Sequence, residues 1–117
     1  MYIRILKSKI HRATVTHADL HYEGSITIDR DLMDKADLVP YEQVDVLNIN
    51  NGERFTTYVI EGKRKSGIIG INGAAARLAQ AGDLVIIVSY AHIEKEKGAK
   101  HKPVKIILDA KNRVKKK

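Results

Sequence analysis

Val44-Asp45-Val46-Leu47-Asn48-Ile49-Asn50-Asn51-Gly52-Glu53-Arg54-Phe55-Thr56-Thr57-Tyr58-Val59-Ile60 is the stretch that decides the fold. Two runs rich in β-branched and aromatic residues flank Asn51-Gly52, a dipeptide suited to the positive φ angles of a two-residue hairpin. The period of two along the second run predicts Arg54, Thr56 and Tyr58 on one strand face and Thr57 on the other. Working outward, similar Ile-, Val-, Thr- and Tyr-rich runs occupy residues 2–15, 25–28, 68–71, 84–91 and 104–108. The chain therefore reads as mainly β, with two short helices, at 31–36 and 73–81. Asn72 is the expected N-cap of the second helix and Gly82 its stop. The helix would begin with Gly73, Ala74 and Ala75, whose amides would stand open at its positive end.

The 117 residues fit one domain, 1–117, and 44% of them are apolar. No apolar run is long enough to span a bilayer and no charged-then-apolar leader opens the chain, so a cytoplasmic protein without a membrane partner is expected. With no cysteine, disulfides, thiolate metal sites and thiol nucleophiles are excluded, which leaves hydroxyl, amine, imidazole or carboxylate chemistry. The net charge of +7 lies in the last twenty residues, where eight Lys and Arg face one acid, Asp109. The rest balances thirteen bases against thirteen acids. Residues 98–117 read as a basic, solvated C-terminal tail. One Phe, five Tyr and no Trp leave few bases-stacking side chains, so nucleic acid is not an expected partner.

Motifs for bound cofactors are lacking. The segment 62–67 has glycines five apart but not the Lys-Ser/Thr ending of a phosphate loop. His17 and His21, four apart, would share a helix face, but they lie between strands without further ligands, and no metal site is expected. The chain is also small for a pyridoxal phosphate fold. What remains is Gly24-Ser25, a dipeptide that most often is an ordinary turn. A glycine there can take strained angles and leave its carbonyl open to the Ser25 hydroxyl, with His11, His17, His21, Tyr22 and Glu23 as polar surroundings.

The tracts 9–12, 15–25, 51–58 and 71–76 together resemble those of the pyruvoyl-dependent aspartate 1-decarboxylases, in register from about residue 9 to about residue 89. The chain beyond about residue 94 is not covered by that resemblance. The resemblance implies a small double-psi β-barrel, assembled as a homotetramer with active sites between subunits. It implies a precursor that cleaves itself between Gly24 and Ser25 into a β chain, 1–24, and an α chain, 25–117; whether a maturation factor takes part is open. Ser25 would become a covalent pyruvoyl group, which forms a Schiff base with L-aspartate and releases CO2 and β-alanine for pantothenate synthesis. By the same match Tyr58 would be the proton donor, a role open to a positioned phenol. Thr57 would assist cleavage near the Gly24 carbonyl. Arg54, Asn72 and the amides of Gly73, Ala74 and Ala75 would hold the substrate, with Lys9, and also His11 and Tyr22, lining the pocket. Which substrate carboxylate Arg54 grips is left open.

Overall fold

Strand formation follows the β-branched runs, whose alternate side chains face inward on a pleated backbone. The computed structural model describes residues 1–116. Among them eight strands are formed: β1 (Tyr2–Thr14), β2 (His17–Asp19), β3 (Ser25–Asp29), β4 (Gln43–Asn48), β5 (Arg54–Gly62), β6 (Ile69–Asn72), β7 (Leu84–Glu94) and β8 (Val104–Ile107). The mainly β class expected from the sequence holds, and the short β2 is the one strand the runs did not predict.

The strands hydrogen-bond in the order β2-β6-β3-β5-β4-β7-β1-β8. Because β2 follows β1 after only Val15 and Thr16, the two ends of the β2-to-β1 series are one continuous piece of chain, and the sheet closes on itself as a barrel. The seam is tied by the Thr16 amide, which donates to the Ile69 carbonyl at 2.8 Å, and by the Ile69 amide, which donates to Thr16 Oγ1 at 3.0 Å. Inside lie Ile10, Ile26, Ile28, Val46, Val59, Ile71 and Ile87, each 0–1% exposed. A buried side chain of this kind contributes about 1.5–3 kcal/mol, so the inward faces of the strands hold the barrel together.

The helices are one α-helix, α1 (Arg30–Ala36), and two 3-10 stretches, Gly73–Arg77 and Lys95–Lys100. Helix α1 falls where the sequence placed it, capped by the Asp29 carboxylate, which accepts from the Asp31 amide at 2.8 Å. The helix expected over 73–81 is corrected to the 3-10 stretch Gly73–Arg77. The Leu78 carbonyl is taken by the side-chain amides of Asn48 and Asn51, both at 3.0 Å, and the Leu78 amide donates three residues back to Ala75 at 2.9 Å. Asn72 makes no side-chain cap, and Gly82 (φ +95°) serves a turn in which its amide donates to Val15. An argument from a helix dipole at Gly73 therefore fails.

The hairpin is also wider than the Asn51-Gly52 pair implied. The Asn48 amide donates to the Glu53 carbonyl at 2.8 Å, leaving four connecting residues, 49–52, with Gly52 at φ +77°. Residues 49 and 50 are drawn to the start of β7: the Ile49 amide donates to the Leu84 carbonyl, and Asn50 Oδ1 accepts from the Leu84 amide.

The basic C-terminal segment is not a frayed tail over its described length. β8 pairs in parallel with β1, and Leu108 and Asn112 are 2% and 3% exposed. Asn112, at φ +59°, accepts from the Thr14 amide at 2.7 Å and donates to the carbonyls of Thr14 and Gly67, both at 2.8 Å.

Candidate active site

Ser25 opens β3 directly opposite Asn72, the last residue of the antiparallel β6. Opposed residues share a sheet face, and the pairing delivers the Asn72 side chain to Ser25. Asn72 Nδ2 donates to Ser25 Oγ at 2.9 Å and to Thr27 Oγ1 at 3.0 Å. Ser25 is 2% exposed and Asn72 8%. A serine oxygen that accepts a hydrogen bond keeps its own proton free to give away, so the contact orients Oγ without occupying its hydrogen. The register Asp19↔Asn72 brings β2 alongside, and Asp19 Oδ1 accepts from the His21 amide at 3.0 Å, turning the chain toward Gly24.

The glycine requirement expected at Gly24 lies instead at Gly73. Gly24 is not in the left-handed region, and a Cβ built on it meets nothing within 4 Å. Gly73 has φ +72°, and a Cβ there would stand 2.8 Å from both the amide nitrogen and Cα of Gly24 and 3.0 Å from the Tyr22 carbonyl. The Gly73 backbone is thus pressed against the backbone of Gly24, where any side chain would intrude.

Strand β5 supplies the neighbouring residues. It runs parallel to β3 with Ile26↔Val59 in register. Continued toward the N-terminus, that register sets Ser25 beside Tyr58 and Gly24 beside Thr57. The faces expected from period two are found: Arg54, Thr56 and Tyr58 are exposed, while Thr57, opposite the buried Val44, is half-buried. Tyr58 is 40% exposed and its ring lies 6.4 Å from that of Tyr41. Among the described residues Arg54 makes no ion pair, which leaves its guanidinium open to a carboxylate.

Lys9 and His11 are not brought to Ser25. The register Thr56↔Asp45, Asp45↔Val88, Val88↔Lys9 places Lys9 on the outward face shared by Arg54 and Tyr58. Three strand spacings, roughly 14 Å, separate the Lys9 strand from β5. Lys9 and His11 instead line a groove of about 450 Å³ with Lys105, Ile106, Ile107 and Val114. His11 Nδ1 is buried without a hydrogen-bond partner among the described residues, and burial, followed by the charges of Lys9 and Arg12, lowers the His11 pKa from its ordinary value. Tyr22, 55% exposed, sits on the turn before Gly24; Ala74 is exposed and Ala75 half-buried, one and two residues past Gly73. His17, on β2, has Nδ1 2.7 Å from Thr16 Oγ1, and among the described residues no group of three potential ligands gathers around a metal position. No described helix is long and apolar enough to cross a membrane.

Sequence reasoning missed three residues of this outward face. Thr27 is two residues from Ser25 on the same strand, so period two could have flagged it. Leu47 and Ile86, registered in a row with Arg54, cover it with part-buried apolar surface; only strand pairing reveals them.

The fold thus sets a buried, amide-held serine beside an exposed glycine in a small barrel, with a tyrosine and an arginine free of ion pairs among the described residues on the adjoining strand. The chain belongs to the aspartate decarboxylase family, whose model matches residues 1–115. The match includes the C-terminal segment that the sequence resemblance left uncovered. The aspartate 1-decarboxylase of Maricaulis maris is 61% identical over 97% of this chain and 94% of its own. That of Chloroherpeton thalassium is 60% identical over 99% and 85%, and that of Caulobacter vibrioides 58% over 99% and 98%. Among solved structures, the computationally designed protein msDPBB_sym2 is 16% identical, with a TM-score of 0.44, over 74% of this chain and 96% of its own.

Proposed function

We propose that the chain cleaves itself between Gly24 and Ser25, and that residues 25–117 then decarboxylate L-aspartate to β-alanine with a pyruvoyl group made from Ser25. The observation that carries this reading is the Asn72 amide on Ser25 Oγ, beside a Gly24 that is free of side-chain cover. Ser25 Oγ attacks the Gly24 carbonyl carbon, the carbon–nitrogen bond breaks, and the amide becomes an ester with Ser25 carrying a free amine. Elimination across Cα and Cβ of Ser25 releases residues 1–24 with a carboxylate. The dehydroalanine left behind takes up water and loses ammonia, leaving the ketone. Thr57, which the continued register puts beside Gly24, is the donor for charge developing on the Gly24 oxygen.

The residues fit such a group: the Asn72 amide addresses the oxygen site of residue 25, and the bare Gly73 backbone approaches Gly24 where a side chain would intrude. The pyruvoyl ketone supplies an electrophile for the substrate amine and a sink for the electron pair freed as CO2 leaves. Tyr58 holds the proton that is returned to the carbon that lost CO2. Arg54 grips one substrate carboxylate through paired hydrogen bonds, and the amides of Gly73, Ala74 and Ala75 receive substrate oxygens without help from a helix dipole. The roughly 14 Å between β1 and β5 supports a site completed between copies of the chain, with Lys9 and His11 contributed across the interfaces of a homotetramer and Tyr22 lining the pocket from the turn before Gly24. The double-psi arrangement of the barrel, a cytoplasmic location, and a place in pantothenate synthesis without pyridoxal phosphate or metal belong to the same reading.

Intact mass spectrometry tests it. Two fragments divided at residue 25 are expected, the larger without an N-terminal α-amine and so blocked to stepwise N-terminal degradation, and Ser25→Ala should stay whole. A wild-type chain that remains intact on prolonged incubation sinks the proposal. Tyr58→Phe should still cleave but lose about 10²–10⁴-fold in decarboxylation, the usual contribution of a positioned acid; normal turnover would remove Tyr58 from its role.

A further inference from the structure

We propose that Thr27 is a positioning residue for self-cleavage, acting through Asn72 on the Ser25 hydroxyl. The inference rests on the self-processing reading above and names a residue that the family resemblance did not. A primary amide has two N–H donors in a fixed plane. In Asn72 one goes to Ser25 Oγ at 2.9 Å and the other to Thr27 Oγ1 at 3.0 Å. Both acceptors lie on β3, two residues apart and therefore on one face, so the amide bridges them like a staple and its torsion is set by two points. Without the Thr27 oxygen, one N–H has no acceptor, and the amide is free to turn away from Ser25.

Thr27 itself is well located for this task. It is half-buried, opposite Gly70 on β6 and Ile60 on β5. Its methyl fills space above Gly62, where a built Cβ would come within 2.9 Å of it. The methyl therefore lies on the Gly62 side of Thr27, while Oγ1 accepts from Asn72. The methyl and the hydroxyl thus have separable roles: the methyl packs, and the hydroxyl orients Asn72.

The test compares Thr27→Ser, which keeps the hydroxyl and loses the methyl, with Thr27→Ala, which loses both, and Thr27→Val, which replaces the hydroxyl with a second methyl. Rates of cleavage are read by intact mass on freshly folded precursor, and folding is checked by thermal melting of each variant in the uncleavable Ser25→Ala background. Thr27→Ala and Thr27→Val are expected to cleave about tenfold more slowly than wild type, the size of one orienting hydrogen bond, and Thr27→Ser near the wild-type rate. If Thr27→Ser is as slow as Thr27→Ala, the methyl alone matters and the proposal is overturned. It is overturned equally if Thr27→Ala cleaves at the wild-type rate. A wild-type chain that never cleaves refutes the self-processing reading itself, whereas cleavage that ignores the Thr27 hydroxyl refutes only this inference.

Discussion

The corner around Ser25 and the groove around His11 lie on strands of one barrel, yet they are built on opposite terms. At the corner the contacts are tight: Asn72 spends both N–H groups on Ser25 and Thr27, and Gly73 touches Gly24 backbone to backbone. The groove is open, lined by lysines and by Ile106, Ile107 and Val114, and holds a His11 nitrogen with no partner among the described residues. The difference separates a corner whose side-chain positions are fixed in advance, as the proposed self-cleavage requires, from a surface still able to receive something else.

The largest effect should follow from adding a single methyl at the corner. Gly73→Ala places a Cβ at φ +72°, a backbone cost of roughly 1–2 kcal/mol, and drives it into Gly24. Cleavage, followed by mass, should fall far below wild type, whereas Gly24→Ala should fold and cleave faster than Gly73→Ala. Equal rates for the two would show that the tight backbone contact does not govern the scissile bond.

A smaller effect is expected where the C-terminal segment is fastened behind the groove. Asn112→Ala strips hydrogen bonds from Thr14 and Gly67 and should cost about 1–3 kcal/mol in denaturant unfolding of the Ser25→Ala protein. Its cleavage rate, measured in the otherwise native chain, should stay close to wild type. If cleavage slows as much as in Gly73→Ala, the two regions are not independent.

The smallest effect is a pH slope from His11. Its folded pKa lies below that of the unfolded chain, so on acidification the unfolded state takes up the proton first. Stability should therefore be fully present above about pH 6.5 and decline as pH falls below it. Melting temperatures of the Ser25→Ala protein with and without His11→Gln, recorded from neutral to mildly acidic pH, should diverge in that window. Parallel curves would mean that His11 is as well solvated as in the unfolded chain, and the contrast with the corner would narrow.

Much of this architecture could be read from the residues. The runs around Val44, Thr56 and Ile86 are strands because β-branched side chains alternate there, and the same alternation put Arg54 and Tyr58 on one face. Where the reading failed, a distant partner had captured a local group. The helix after Asn72 is cut short because Asn48 and Asn51 take the Leu78 carbonyl, and the hairpin is widened because Leu84 binds residues 49 and 50. Neither signal exists within the segments concerned. The basic ending looked like a tail because charge dominates its composition, while one buried Asn112 holds it in place.

The sequence by itself determined that this is a mainly β chain without thiol chemistry, and its tracts around Gly24-Ser25 and residues 51–58 resemble one enzyme family. Those properties follow from residue type, local periodicity and motif. Only the tertiary structure decided that Gly73, not Gly24, is the glycine whose lack of a side chain matters, that Asn72 holds Ser25 through an amide shared with Thr27, and that Lys9 lies three strands away. These depend on which strands pair and in what register, which is set by long-range burial of the inward faces and has no counterpart in the order of neighbouring residues.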